Sequence, residues 1–200
     1  VQLVAFHPLI LGTFQNRMEK MNFIVDLVVT RHLTTFTHSV MVSYLAEAIG
    51  KHILAARPEL LRIPSSYLEG NVYASPAEVL DYIVPAALFH DIGKNGMIPI
   101  INTQHRKLND YEFNIIQTHP QKGSDYLSSD PNFLIYQPVA LGHHRSYDGT
   151  RGYPLSFDNT ASPYRDAIDL IHICDCLDAA TDYLSRNYHR AKPFDVYWMN

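Results

Sequence analysis

The sequence predicts an all-α protein, a bundle of about six or seven helices that forms a single domain over residues 1–200. Apolar residues recur at helical spacing in several segments, and capping residues followed by proline mark several helix starts. No stretch alternates apolar and polar residues between hairpin turns, so we expect few strands or none. A chain of 200 residues is long enough to bury one sizeable core.

The first two helices are predicted from periodicity. Residues 15–29 and 36–55 place an apolar side chain every three or four positions, and Pro58 ends the second segment. The later helix starts are predicted from caps. Three of them combine an N-cap with proline at the first helical position, namely Ser75-Pro76, Asp130-Pro131 and Ser162-Pro163. Capping boxes join Ser75 to Glu78 and Asn109 to Glu112, so helices should begin near 76, 110, 131 and 163.

The segments between these helices are predicted to be loops over residues 57–75, 93–109 and 143–162. The last is rich in glycine, aspartate, serine, tyrosine and proline, and it is long for a bundle connection. Long ordered loops in compact domains tend to carry function. We therefore expect functional residues at helix ends and in this loop.

Composition excludes several classes of protein. A net charge of −4 argues against binding DNA or RNA through a broad basic surface, but it leaves room for a small phosphorylated ligand. No apolar run is long enough for a membrane span, and the first residues lack the basic region of a signal peptide. Cys174 and Cys176 point in different directions on a helix, so we expect two reduced thiols and a cytoplasmic location.

Eleven histidines direct attention to metal binding, and the adjacent pair His90-Asp91 is the first candidate. The pair ends an apolar helical segment, and an imidazole and a carboxylate can coordinate one divalent ion together. Gly93 lets the backbone turn sharply, and Lys94 then supplies a cation suited to phosphate. The alternative is a helix C-cap with a satisfied histidine, and the pair alone does not exclude it.

Other candidate ligands recur where apolar helices end or turn: His38, His119, the pair His143-His144, and Asp175. Each one alone could be a packed or exposed residue. Helix ends in a bundle converge on shared pockets, so their recurring placement favours a common site.

At this point the sequence resembles the HD superfamily of metal-dependent phosphohydrolases, and within it the HD-GYP subgroup. The resemblance covers about residues 30–190. It is carried by HDIGK at 90–94, THP at 118–120, HHRSYDGTRGYP at 143–154, THS at 37–39 and DCLDAATD at 175–182.

The resemblance implies an HD-domain helical bundle with a long loop carrying the Gly-Tyr-Pro motif. Asp91 would bridge two divalent metals, Lys94 would touch substrate phosphate, and Tyr153 in the loop would lie near the substrate. The substrate class would be a cyclic dinucleotide, chiefly cyclic di-GMP, hydrolysed by a metal-bridging hydroxide. Imidazole and carboxylate ligands suit iron or manganese best, with zinc, nickel or magnesium as further options. The implied metal ligands are His38, His90, Asp91, His119, His143, His144 and Asp175.

The chain departs from the subgroup at several positions. Arg145 replaces the usual glutamate, either as a structural contact or as a substrate contact. Thr34 stands where some members carry a glutamate for a third metal, so we predict two metals. Arg186 and Arg190 are the candidate equivalents of a phosphate-binding segment, with exposed helix residues as the alternative. His172, three residues before Asp175, could support the metal ligands from behind.

Two other functions stay open: a hydrolase acting on another nucleotide or phosphoester, and a module that senses nucleotides or docks a partner without turnover. The resemblance also allows a signalling-protein partner at the Gly-Tyr-Pro loop and a homodimer. Such domains commonly follow sensor or receiver domains. We expect this chain to be part of a longer one or to lack one or two C-terminal helices.

Overall fold

The computed structural model describes residues 10–65, 72–97 and 106–182. Within these ranges the all-α prediction is confirmed, and β-type pairing is limited to two isolated bridges, Pro64 with Tyr73 and Arg145 with Gly152. Three short 3-10 turns cover Pro58–Leu60, Ile92–Met97 and Leu134–Tyr136. The described ranges contain seven complete α-helices: α1 Arg17–Arg31, α2 Leu33–Ala56, α3 Pro76–Phe89, α4 Asp110–Ile116, α5 His119–Ser128, α6 Gln137–Gly142 and α7 Arg165–Thr181.

None of the helices in these three ranges combines the length and the apolar character that crossing a bilayer requires.

The predicted caps start α3 and α4. The Ser75 hydroxyl accepts the backbone N–H of Glu78, whose carboxylate accepts the N–H of Ser75 in return. Asn109 and Glu112 form the same reciprocal pair at the start of α4. Both capping-box predictions are therefore confirmed, because each box satisfies amide groups that a helix leaves free at its first turn.

The prediction of a helix beginning near 131 was wrong. The Asp130 carboxylate accepts from the backbone and side chain of Asn132, and it pairs with the Lys20 ammonium at 2.6 Å. The carboxylate thereby stabilises a turn, and the next α-helix begins only at Gln137. The helix expected near 163 begins two residues later, because the Ser162 hydroxyl accepts the N–H of Tyr164 inside a turn.

The core forms where α2 and α3 pack side by side, with α7 against α2. The approach of α2 to α3 is close at Gly50, where a Cβ atom would lie 2.5 Å from Ile83 Cδ1. Buried side chains such as Val42, Ala46 and Ile171 fill the space between these helices. α5 packs against α6 and against the turn Ile92–Met97, so several helix ends face the middle of the bundle.

Candidate metal centre

The structure brings together all seven predicted ligands. His38 lies on α2, the pair His90-Asp91 follows α3, and His119 begins α5. The pair His143-His144 follows α6, and Asp175 lies on α7. The ligand atoms form two groups, each with its atoms within 4.8 Å of one another: Asp91, His119, His143 and His144 in the first, and His38, His90 and Asp175 in the second.

Asp91 lies between the two groups. Its Oδ1 atom is 3.1 Å from His119 Nε2 and 3.7 Å from His143 Nε2 in the first group. Its Oδ2 atom faces the second group, at 3.5 Å from His90 Nε2 and 3.7 Å from His38 Nε2. One oxygen therefore serves each group, which is the arrangement that a bridging carboxylate requires.

Three of the imidazoles are oriented by the backbone at helix ends. Carbonyls in the last turn of a helix have no partner inside the helix and can accept a side-chain N–H. Each ring places Nδ1 against the carbonyl three residues before it and leaves Nε2 for the centre. The pairs are His90 with Ala87 at 2.6 Å, His119 with Ile116 at 2.7 Å and His143 with Ala140 at 2.9 Å.

His38 is oriented instead by a carboxylate. Its Nδ1 atom lies 2.6 Å from Asp178 Oδ2, while Nε2 faces Asp175 Oδ1 at 3.0 Å. Burial works to lower the pKa of His38, but Asp175 and Asp178 outweigh it and raise the pKa to about 9. Asp178 was not among the predicted site residues. The available signal was its position three residues after Asp175, on the same face of α7.

The chemistry of this donor set fits a pair of divalent metals. Burial lowers the pKa of His90, His119 and His143, so these rings are held neutral, as metal ligands must be. Burial alone would raise the pKa of Asp91, but the nearby Lys94 ammonium and histidines hold it well below its usual value. Three buried atoms in this cluster have charged or polar neighbours but no well-aligned hydrogen bond among the described residues: His38 Nε2, His90 Nε2 and Asp91 Oδ1.

The turn after His90-Asp91 places Lys94 beside the centre. Its Nζ atom contacts Asp91 Oδ2, and its side chain is 18% exposed. Gly93 is needed for a different reason from the one predicted, since its φ is not positive. A Cβ atom there would lie 2.0 Å from the carbonyl oxygen of His119 and 2.6 Å from the amide nitrogen of Gly123. The glycine is therefore required for close backbone contact with α5, rather than for a sharp turn.

A cavity of about 590 Å³ opens over the metal centre. Four of the predicted ligands line it, together with Lys94 and Tyr153. Residues of α4 and of the segment before that helix also line it. A cavity of this volume lies within the usual range of small-molecule sites, so the centre is accessible to a ligand of nucleotide size.

A model of the HD domain family matches residues 35–187. This chain belongs to the HD domain family. Its His-Asp pair is His90-Asp91, which supplies one member to each ligand group and includes the carboxylate that lies between them.

Curated relatives of this HD domain carry phosphodiesterase names. A cyclic di-GMP phosphodiesterase of Vibrio cholerae is 27% identical over 149 residues, which are 69% of this chain and 30% of that protein. The cyclic di-GMP phosphodiesterase response regulator RpfG of Xanthomonas campestris is 32% identical over 121 residues, 60% of this chain and 31% of that protein. The 3'3'-cGAMP-specific phosphodiesterase 2 of Vibrio cholerae is 26% identical, over 82% of this chain and 31% of that protein. The chain thus spans about a third of the length of these relatives.

The fold also matches a solved structure, the HD domain of the Listeria monocytogenes phosphodiesterase PgpH. The TM-score is 0.51 at 20% identity, covering 82% of this chain and 75% of that chain. The same domain in complex with cyclic-di-AMP gives a TM-score of 0.50 at 22% identity, over 78% of this chain and 72% of that chain. At these identities the likeness supports the helical fold alone.

Arg145 of the HD domain organises the loop over residues 146–153, which supports the structural alternative left open by the sequence. It is only 4% exposed, and Nη1 donates to the carbonyls of Arg151 at 2.9 Å and Gly152 at 3.4 Å. Nη2 contacts the carbonyl of Gly149. Gly149 and Gly152 have φ values of +72° and +87°, which only glycine adopts without strain, so the loop can close around the guanidinium.

The same loop carries Tyr153 into the site. Its ring centroid lies 4.6 Å from that of His144, and the ring lines the cavity. Behind the ligands, His172 Nδ1 contacts the carbonyl oxygen of His143, so it supports this turn from α7. Cys174 and Cys176 are both free. The predicted phosphate-binding residues Arg186 and Arg190 lie outside the described residues.

Proposed function

We propose that this HD domain is a metal-dependent phosphodiesterase that hydrolyses a cyclic dinucleotide, with cyclic di-GMP as the first candidate. The observation that carries the proposal is the shared position of Asp91 between two ligand groups at the base of an open cavity. The names of the curated relatives support the substrate class. The proposal includes two divalent ions, iron or manganese first, with Asp91 as their common ligand.

When bound, the two ions would activate water and the phosphoryl group for an in-line displacement. The chain's own residues would do the rest. Asp91 and the histidines would fix the positions of the two ions. The second ring nitrogens of His38, His90 and His119 are held by Asp178 or by backbone carbonyls, which keeps these rings in place. Lys94 reaches the same point from the turn after α3 and is placed to neutralise charge on a phosphoryl oxygen. Tyr153 borders the cavity, and its ring lies beside that of His144.

A turnover assay tests the proposal. Protein loaded with Fe(II) or Mn(II) is incubated with cyclic di-GMP, with 3'3'-cGAMP and with cyclic di-AMP, and the products are separated by chromatography. We expect a linear dinucleotide from at least one of them and at least a thousand-fold loss with Asp91→Ala, the scale of a lost metal or oxyanion ligand. Equal cleavage rates of all three cyclic dinucleotides by wild type and Asp91→Ala would contradict the proposal.

Two further expectations belong to the proposal. The two free thiols support a cytoplasmic location, where thiols stay reduced. A homodimer and a signalling partner at the Gly-Tyr-Pro loop are checked by light scattering and by pull-down with candidate partners, each compared with a loop variant.

A further inference from the structure

An apolar wall lines part of the cavity beside the metal centre. It consists of Leu108, Phe113 and Ile116, which we call the α4 wall, and all three line the cavity. Ile116 is buried against Met97, and Leu108 packs on the same small cluster. Phe113 is different, because 47% of its surface is exposed although it stands over this apolar base. A large ring is thus presented to the cavity by a side chain that makes no contact with the candidate metal ligands in the described contacts.

The α4 wall is held in place by a dense set of polar contacts. Arg106 donates to both oxygens of Glu112, at 2.7 and 2.6 Å. Glu112 also accepts the N–H of Asn109, and the Asn109 side chain accepts the N–H of Glu112. These contacts fix the chain on both sides of Leu108 and directly before Phe113. A ligand that stacks on a fixed ring loses less free energy in ordering it.

The charges around the cavity divide it into two regions. Lys94 stands at the metal centre, where a phosphate is expected, and Lys107 stands beside the α4 wall. Asp110 also lines the cavity at α4, and its carboxylate disfavours a phosphate placed directly against that helix. An uncharged planar group with N–H donors is compatible with both the apolar ring and the carboxylate. The bases of a purine cyclic dinucleotide have this chemistry.

We propose that the α4 wall is a nucleobase site, with one base of the cyclic dinucleotide stacked on Phe113 while a phosphate lies at the metal centre. This inference rests on the proposed function and deepens it, because it assigns base recognition to α4. Lys107 then serves the distal phosphate. Stacking on an aromatic ring is sequence-tolerant, so Phe113 contributes affinity for purine dinucleotides in general.

The experiment compares three variants with metal-loaded wild type. Phe113→Ala removes the ring, Phe113→Tyr keeps a stacking surface, and Tyr111→Ala is the matched control. Tyr111 lies on the same helix and is 75% exposed, but it is absent from the cavity lining. The readouts are KM and kcat for cyclic di-GMP and the inhibition constant of inorganic phosphate, which has no base.

Loss of base stacking commonly weakens binding by roughly ten-fold or more. We therefore expect Phe113→Ala to raise KM about ten-fold, with Phe113→Tyr and Tyr111→Ala within about two-fold of wild type. Phosphate inhibition should not change in any variant. The inference is overturned if Phe113→Ala matches Tyr111→Ala in KM. It is equally overturned if Phe113→Ala weakens phosphate inhibition as much as it raises KM, since the ring would then only support the metal centre.

These outcomes are distinct from failure of the proposed function. If wild type binds cyclic di-GMP without cleaving it, the dissociation constant from calorimetry replaces KM and the comparison of variants stands unchanged. If wild type neither binds nor cleaves any of the three cyclic dinucleotides, both proposals are overturned.

Discussion

Replacing Arg145 by methionine should release the loop over residues 146–153 while the helices stay folded. Methionine matches the length of the arginine stem but cannot donate hydrogen bonds. The change removes two well-placed charged hydrogen bonds, to Gly149 and Arg151, and a longer one to Gly152 at 3.4 Å. Hydrogen bonds to charged groups contribute about 1.5–3 kcal/mol each. The freed carbonyls lie near the surface and can be rehydrated, so we take the low end, about 3 kcal/mol in total.

A loss of about 3 kcal/mol raises the open fraction of the loop roughly a hundred-fold, since 1.4 kcal/mol is a factor of ten. The assay is limited trypsin digestion under native conditions, with cleavage after Arg151 followed by mass spectrometry. Cleavage reports the open population when the loop recloses faster than it is cut. Arg145→Lys should fall between wild type and Arg145→Met, because an ammonium cannot span three carbonyls in a plane.

Arg165→Met is the control for this comparison. Arg165 is 34% exposed; it makes one long hydrogen bond, 3.3 Å, to the carbonyl of Tyr147 in the same loop, and its guanidinium lies 4.6 Å from the centroid of the Tyr147 ring. Its loss should accelerate cleavage by less than about ten-fold, as for other exposed contacts. Equal cleavage rates in Arg145→Met and Arg165→Met would refute the idea that Arg145 holds the loop together.

Three other outcomes are expected. Asp178→Asn should weaken metal binding about ten- to hundred-fold, measured by isothermal titration calorimetry, because the side chain that orients His38 loses its charge. An unchanged metal affinity would contradict this role of Asp178. Lys20→Met should lower the free energy of unfolding by about 2 kcal/mol, measured by chemical denaturation, because the buried Asp130 carboxylate loses its cation. Burial would raise the pKa of Asp130, but Lys20 and Asn132 hold it below its usual value. The stabilisation by this pair is therefore complete above about pH 4 and is lost as pH falls through the pKa of Asp130 in the folded protein. The difference in unfolding free energy between wild type and Lys20→Met should shrink over the same fall in pH. Chelation of divalent metal should lower Tm, measured by calorimetry with and without added Mn(II), and an unchanged Tm would argue against the metal centre.

The seven ligands could be predicted because they lie within long motifs that keep their order along the chain. His90 and Asp91 are adjacent, and His143 and His144 are adjacent, so local sequence alone places them together. The starts of α3 and α4 were predictable for a similar reason. Each capping box acts within four residues, and no distant contact competes for Ser75 or Asn109.

The features that were missed depend on contacts between distant parts of the chain. Asp130 is followed by proline and has the sequence of a helix cap, yet Lys20, 110 residues away, pairs with its carboxylate. Asp178 orients His38 across 140 residues, and only the packing of α7 against α2 reveals it. Arg145 differs, because the carbonyls that it contacts are only four to seven residues away; which of them face it depends on the backbone conformation of the loop.

The contact between Gly93 and α5 has a consequence for how the site withstands mutation. Close backbone contact at Gly93 sets the separation between Asp91 and His119. A Cβ atom at Gly93 would lie only 2.0 Å from the carbonyl oxygen of His119. The three atoms nearest to that Cβ position all belong to the backbone, so we expect rotamer or volume changes of side chains elsewhere in the core to alter that separation little. Catalytic groups must be held to within about 0.5 Å. We therefore expect the two ligand groups to keep their spacing in many core variants. Any side chain at Gly93 should change that spacing.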